Sequence, residues 1–157
     1  MKKAFFINGG AGRVLCAIPA LEYHLKNIDP TAPIIVEGWI DLYLTSKILV
    51  NNTFPAKDPN LFEKLKDREI ITPEPYKLNA YFTQRANLVQ SFDMLINYDY
   101  PPETVPETKE YNELFVGKKD IATGEELVAE AKRHFKKDKV IIFQPFGSTA
   151  TIHGGVI

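Results

Sequence analysis

Between a short apolar run and an amphipathic pattern, the chain carries Asn8-Gly9-Gly10-Ala11-Gly12-Arg13. Glycines at the start of a helix leave backbone N–H groups open at its positive end, where an anion or a polar sugar can approach. We therefore predict that Gly10, Ala11 and Gly12 let a ligand reach the backbone, and that Arg13 holds an anionic or hydroxyl-rich group beside it. A branched side chain at Gly12 would fill that space and resist a positive φ.

Polar and aromatic residues also follow the other apolar runs. Glu37 and Trp39 follow the second run, and Asp99 and Tyr100 follow the fourth. Ligands of open α/β sheets bind outside the carboxyl ends of the strands. The sequence therefore predicts a binding edge there, with Trp39 and Tyr100 placed to stack on a sugar or a base.

Apolar runs alternate with helical patterns along the chain. This alternation, with strands that are continuous apolar runs, is typical of a parallel sheet with helices on both faces, and predicts an α/β, Rossmann-like open sheet. The predicted strands are 4–7, 33–36, 69–72, 92–98 and 140–143. The predicted helices are 13–27, about 42–49, 78–91 and 123–136 with Thr123 as N-cap, and 51–67 is irregular apart from a helical turn at 61–65.

Composition narrows the class of protein. The 157 residues have a net charge of -1, which gives no general attraction to nucleic acid or to an anionic membrane. Cys16 is the only cysteine, which fits a reducing compartment. We find no apolar run that approaches the roughly 18 residues of a membrane span. Three scattered histidines and one cysteine predict no metal site. The sequence thus predicts a soluble, cytoplasmic protein.

The dinucleotide-binding fingerprint is one interpretation of the glycines. Gly10 and Gly12 fill its first two positions, and Glu37 stands where a ribose-binding carboxylate would. The third glycine is replaced by Leu15, which argues against the close helix–strand packing that this motif needs. A small NAD-binding protein is therefore an alternative.

Three patches resemble glycosyltransferase family 9, the heptosyltransferase-like enzymes. The opening "INGGAGRVLCAIPALEYHLK" is similar to the start of the family, through Gly12-Arg13-Val14-Leu15 and Ile18-Pro19-Ala20-Leu21. "SFDMLINYD", residues 91–99, resembles a later strand of the family. "KVIIFQPFGST", residues 139–149, resembles the strand and turn that open the donor-binding domain. The patches occur in the family's order.

The resemblance implies a GT-B architecture, in which two Rossmann-like domains face a cleft. Residues 1–137 would form the acceptor-side domain, and 138–157 would begin a donor-side domain that is mostly absent from this chain. The implied activity is sugar transfer from a nucleotide-sugar co-substrate to a polar acceptor, with no metal and no other cofactor. Gly147, Ser148 and Thr149 would contact the donor phosphates. Without the rest of that domain, we expect the chain alone to be inactive.

This chain departs from the family's pattern at the position of the general base. Where members often carry an aspartate taken as general base, this chain has Arg13. Asp99, Glu37 and Glu103 are then the candidate catalytic carboxylates. The opening is also similar to phage-encoded transferases whose acceptor is modified DNA, which makes DNA a second acceptor class, although a net charge of -1 lacks the expected basic footprint. A non-catalytic interaction module is the remaining alternative.

Overall fold

Four short strands form one all-parallel sheet in the computed structural model, which describes residues 2–107 and 117–141. The strands are β1 (Lys2–Ile7), β2 (Ile34–Val36), β3 (Thr53–Pro55) and β4 (Arg68–Ile71), in the spatial order β3-β2-β1-β4. Ile7 of β1 lies opposite Val36 of β2, and Phe5 of β1 lies opposite Ile71 of β4. The predicted Rossmann-like open parallel sheet is confirmed.

The helices connect these strands and follow them. They are α1 (Ala11–Asn27), α2 (Asp41–Leu44), α3 (Leu61–Leu65), a 3-10 turn (Pro75–Lys77), α4 (Asn79–Phe82), α5 (Leu88–Ile96) and α6 (Lys118–Phe135). The chain divides into two compact units, Met1–Phe115 with the sheet and Val116–Ile157 with α6. The expected domain boundary after residue 137 lies inside the second unit and stays a prediction.

The core forms where α1 and α5 pack beside the sheet. Phe5 and Ile7 of β1, Val14 and Leu21 of α1, and Phe92 of α5 belong to one buried cluster. Parallel strands are covered on their faces, which explains why β1 and β2 are apolar runs without a period of two. Helix α5 packs along α1 where the sequence predicted a fourth strand of the sheet, 92–98.

The predicted fourth strand, 92–98, is wrong because most of it is helix α5. Asn87 begins this helix: its side-chain oxygen accepts from Gln90 N at 2.9 Å, and Gln90 Oε1 accepts from Asn87 N at 2.9 Å. This reciprocal cap fixes a helix start near the end of the predicted 78–91 helix, so that segment contains α4 and only the first turn of α5. The apolar run that resembled a strand is the buried face of α5.

Four further assignments differ from the expectation. β3 lies in the segment that was expected to be irregular, and α2 ends at Leu44, well before residue 49. α6 begins after Gly117, so Thr123 is not a cap; its hydroxyl donates to Lys119 O inside the helix. Of the predicted strand 140–143, the first two residues are not in a strand. The other two lie outside the described residues.

A buried polar network joins α1 to α5 at the amino-terminal edge of the sheet. Asn97 Nδ2 donates to Ala20 O at 3.0 Å and to Asp93 Oδ1 at 2.7 Å, so its oxygen faces His24 Nδ1 at 3.0 Å. The neutral His24 ring therefore carries its proton on Nδ1. Burial lowers the pKa of His24, the hydrogen bond with Asn97 opposes that shift, and the charge of Lys3 adds to it.

The network predicts a pH-dependent stability. The folded-state pKa of His24 lies below 6.5, so the unfolded chain takes up a proton there first as the pH falls. The free energy of unfolding should decrease as the pH falls from 7.5 to 5.5, and His24→Gln should flatten that slope. Urea denaturation of both proteins at several pH values measures the free energy of unfolding and hence this slope. Equal slopes in the two proteins would contradict the prediction.

Candidate functional site

The sheet has a topological switch point between β1 and β4. After β1 the chain moves outward to β2 and β3 on one side, and it then crosses to β4 on the other side. In open parallel sheets, the crevice outside the carboxyl ends at such a point is the usual ligand site. Here the loop that leaves β1 is the glycine segment 8–12, and the loop that leaves β4 begins at Thr72.

The glycines of this loop have two different structural roles. Gly9 has φ +96°, and a Cβ atom there would lie 2.9 Å from Arg13 Cδ. Gly10 precedes α1 in extended conformation and Gly12 lies inside α1, and a Cβ atom on either would meet nothing within 4 Å. The prediction of a positive φ at Gly12 is therefore wrong, and the glycine of this loop with a positive φ is Gly9. Gly10 and Gly12 leave open space, with Ala11 between them.

Arg13 is bound within the protein. Its Nη2 donates to Pro73 O at 2.6 Å, and the guanidinium pairs with both carboxylate oxygens of Glu74 at 3.3 Å. The guanidinium also lies 5.5 Å from the centre of the Tyr76 ring and 5.9 Å from that of Phe92. Only 11% of its side chain is exposed. Arg13 thus links α1 to the loop after β4. It is neither a cation free to bind a ligand nor a solvent-exposed side chain.

An aromatic residue and a carboxylate stand on each side of the glycine loop. Glu37 and Trp39 follow β2, and Trp39 is 57% exposed. Glu74 and Tyr76 follow β4, with 37% of the Glu74 side chain and 47% of Tyr76 exposed. Adjacent strands are about 4.8 Å apart, so the ends of β2 and β4 are separated by about 10 Å across β1. This spacing suits a ring-sized ligand over the glycines.

The backbone of Trp39 is in the left-handed region, with φ 61°. A bulky residue rarely adopts this conformation. Its carbonyl accepts from Leu42 N at 3.1 Å, and Tyr43, one residue further, donates from its hydroxyl to Val14 O in α1 at 2.9 Å. The turn that carries Trp39 is thereby fixed against the start of α1. Burial raises the pKa of the Tyr43 hydroxyl, so it remains a donor.

Asp99, Tyr100 and Glu103 are not part of this edge. They were expected after a fourth strand, but they follow helix α5, which ends at the opposite edge of the sheet. Asp99 accepts from Lys3 Nζ at 2.9 Å beside the start of β1, and this hydrogen bond and charge lower its pKa. Tyr100 and Glu103 are exposed. The position expected for Asp99 is wrong because no strand precedes it.

An open groove of about 690 Å³ lies at that opposite, amino-terminal edge. Lys3, His24, Asp29, Asn97 and Asp99 are among its lining residues. Their charged and polar groups already bind one another or other parts of the protein: Lys3 pairs with Asp99, Asn97 with His24, and Asp29 with an arginine of β4. The carboxyl edge is the better candidate because its glycines and aromatic rings are open.

The remaining sequence-derived site residues lie elsewhere. Gly147, Ser148 and Thr149 are outside the described residues, and their role stays a prediction. Within residues 2–107 and 117–141, no group of three or more His, Cys, Asp or Glu side chains is arranged to hold a metal ion. In the same ranges no helix is long and apolar enough to cross a membrane.

Sequence reasoning named Thr72-Pro73-Glu74 as a strand end but gave no role to Glu74, and it did not single out Tyr76. The local signal was present, because Pro73-Glu74-Pro75 stops an apolar strand. What the sequence did not show is that β4 lies next to β1, which places these residues beside the glycine loop. Comparison with known proteins adds no assignment: no family model, curated protein or solved structure matches this chain.

The contacts of Arg13 predict a structural cost on its removal. Arg13→Ala should lower the free energy of unfolding by about 2–3 kcal/mol, because a partly buried charged donor loses its acceptors and its aromatic neighbours. Arg85→Ala is the matched control, since Arg85 is exposed and should change stability by only about 0.5 kcal/mol. Urea denaturation measures both. An unchanged Arg13→Ala variant would show that these contacts contribute nothing.

The two kinds of glycine predict opposite effects of one substitution. Gly12→Ala should raise stability by up to about 1 kcal/mol, because alanine favours the helix and meets no atom. Gly9→Ala should lower it by at least about 1 kcal/mol, because φ +96° and the contact with Arg13 both oppose a side chain. Thermal and urea denaturation test the pair. The assignment fails if the two substitutions shift stability in the same direction.

Proposed function

We propose that the sheet unit is the acceptor-side domain of a GT-B glycosyltransferase that resembles family 9. The observation that carries the proposal is the open glycine loop at the switch point, with Trp39 and Glu37 on one side and Tyr76 and Glu74 on the other. Aromatic faces stack on the apolar faces of sugar rings, and carboxylates accept hydrogen bonds from sugar hydroxyls. The edge offers both kinds of contact to one ligand.

Sugar transfer requires a base that takes the proton of the acceptor hydroxyl. Of the carboxylates expected from the sequence, Glu37 is the one at the end of a strand beside the glycine loop. Glu74 is a second candidate on the other side, and Arg13 fixes its position. Because Arg13 replaces the aspartate common in the family, we assign the base to Glu37 or Glu74 in place of Asp99 or Glu103.

The donor side of the reaction belongs to a second domain. We propose that a nucleotide-sugar binds there, that Gly147, Ser148 and Thr149 contribute to its phosphate site, and that no metal is needed. The acceptor is a hydroxyl-bearing sugar, or a hydroxyl group on modified DNA. The single cysteine, Cys16, fits a cytoplasmic location.

NAD binding is the second candidate, and one observation favours it. The order β3-β2-β1-β4 with Glu37 at the end of β2 is the arrangement in which a carboxylate binds a dinucleotide ribose. Against it, Leu15 occupies the third glycine position and packs against the core, and the Arg13 charge at this edge is already paired with Glu74. The two candidates therefore differ in the charge of the ligand, because a pyrophosphate is anionic and a saccharide acceptor is neutral.

Trp39 is the only tryptophan of the chain, so its fluorescence reports on the candidate edge alone. We expect a saturable change in emission with a panel of neutral oligosaccharides and no change with NAD. Gly12→Val should weaken that response at least about tenfold, the loss of roughly 1.4 kcal/mol of binding, because the side chain occupies the ligand's space.

Gly124→Val, in an open position of α6, is the matched control and should leave the response unchanged. A response to NAD without one to any saccharide would favour the dinucleotide protein. No response to either class of probe would contradict both functions.

A further inference from the structure

A pocket of about 420 Å³ opens beside helix α4 in the sheet unit. Its lining residues are Tyr81, Phe82, Gln84, Ala86 and Asn87. Phe82 is 83% exposed, Tyr81 is half-buried, and none of the five residues carries a charge. The pocket therefore offers aromatic rings and amide groups to a ligand, and no ion.

The turn that carries these side chains is held by backbone hydrogen bonds. Ala86 N donates to Ala80 O at 2.9 Å, and Gln84 N donates to Tyr81 O at 2.9 Å. Gln84 has φ 59°, in the left-handed region that residues other than glycine seldom adopt. The backbone thus presents Phe82 and Gln84 at the mouth of the pocket although both side chains are exposed.

A small hydrophobic cluster supports this turn. Ala80 and Ala86 are buried with Met94 of α5, and the half-buried Leu78 and Val105 pack against them. A single exposed phenylalanine on a protein surface needs no explanation. Here, however, the exposed ring borders a pocket whose base belongs to a packed cluster, so the pocket is part of the folded unit.

The pocket lies next to the carboxyl edge of the sheet. The ring of Tyr81 meets that of Tyr76 edge to face, with the ring centres 5.4 Å apart. Tyr76 belongs to the candidate site beside the glycine loop, where its ring centre lies 5.5 Å from the Arg13 guanidinium. One ligand with two linked rings can therefore contact both the glycine loop and the pocket.

The arginine beside the pocket does not make it an anion site. Arg85 is not one of the lining residues; its Nη2 donates to Asn79 Oδ1 and its Nε to Thr83 Oγ1, each at 3.2 Å. A phosphate or a nucleic-acid backbone in the pocket would lose water without meeting a cation of the lining. The chemistry favours a neutral ring that carries hydroxyl groups.

We infer that this pocket is a second saccharide subsite, so that the acceptor is an oligosaccharide. Its reacting ring lies over the glycine loop, and its next ring stacks on Phe82. Aromatic side chains combine an apolar face with fixed geometry, and the Gln84 amide both donates to and accepts from hydroxyl groups. The inference deepens the proposed function and rests on it in naming a saccharide as the ligand.

Saccharides of increasing length test the inference. Glucose, mannose and N-acetylglucosamine, and the di- to tetrasaccharides of each, are titrated into the full 157-residue chain while Trp39 emission is recorded. An oligosaccharide should bind at least about tenfold more tightly than its monosaccharide, because only the longer ligand reaches Phe82. Phe82→Ala should lower the oligosaccharide affinity to that of the monosaccharide and leave the monosaccharide affinity unchanged.

Phe62→Ala is the matched control. Phe62 is 80% exposed, lies in α3 of the same unit and does not line the pocket, so both affinities should remain unchanged. Gln84→Gly is a second test variant, because it removes the amide while glycine accepts the left-handed backbone. It should weaken oligosaccharide binding without loss of stability, and circular dichroism checks that each variant is folded.

Amide NMR separates the failure of this inference from that of the proposed function. Signals of Gln84 and Ala86 report on the pocket, and those of Trp39 report on the carboxyl edge. If oligosaccharides shift Trp39 alone, or if Phe82→Ala leaves the length dependence intact, the inference is wrong and the proposed function stands. If they shift Gln84 and Ala86 alone, the pocket binds saccharide and the proposed function is wrong.

Two further results would overturn the inference. One is the absence of shifts at both places with every saccharide of the panel, which contradicts the proposed function as well. The other is a proline-rich peptide that shifts Gln84 and Ala86 where no saccharide does, because aromatic-lined grooves also bind such peptides. That result would identify the pocket as a protein-recognition site.

Discussion

The guanidinium of Arg13 holds the candidate site together. β4 is an edge strand of four residues, and β1 is the only neighbour with which it pairs within the described sheet. At its start, Arg68 binds Lys3 O and the Asp29 carboxylate; at its end, Arg13 binds Pro73 O and Glu74. The second of these contacts places the β4 loop beside the glycine loop. Arg13 thereby fixes Glu74 at the switch point, and an edge contact with the ring of Tyr81 also holds Tyr76 there.

Two glycines of the loop after β1, Gly10 and Gly12, lower the stability of the protein without being required by the fold. Gly9 is required, because its φ and its contact with Arg13 exclude a side chain. Gly10 and Gly12 meet no such restriction, and an alanine at Gly12 would favour the helix. Proteins keep destabilising residues where activity needs them. Together with the left-handed Trp39, these open glycines favour a ligand-binding role for the carboxyl edge over a purely structural one.

Much of the fold was predictable, because its signals are local. The apolar runs of β1, β2 and β4 and the amphipathic pattern of α1 identified the parallel sheet and the glycine loop. β3 was missed because it has three residues, ends in proline and buries only Thr53. Helix α5 resembled a strand because its buried face is nearly continuous, although the Asn87 and Gln90 cap was a readable helix signal. That one error also moved Asp99 to the wrong edge of the sheet.

The site was less predictable than the fold, since it depends on which strands are neighbours. Glu37 and Trp39 were found because they follow β2, but the partners of Arg13 are sixty and more residues away in sequence. Sequence spacing carries no information about such a contact. The same limit explains why Arg13 was interpreted as a ligand-binding cation and Glu74 was given no role.

We propose that a ligand binds at the carboxyl edge of the sheet. Amide NMR of the labelled chain, titrated with the oligosaccharide that changes Trp39 emission most, locates the bound ligand directly. A ligand at the carboxyl edge should shift the signals of Gly10, Gly12 and Gly38, which lies between Glu37 and Trp39, together with that of the Trp39 indole. Shifts confined to Lys3, His24 and Asn97, at the opposite edge, would contradict it.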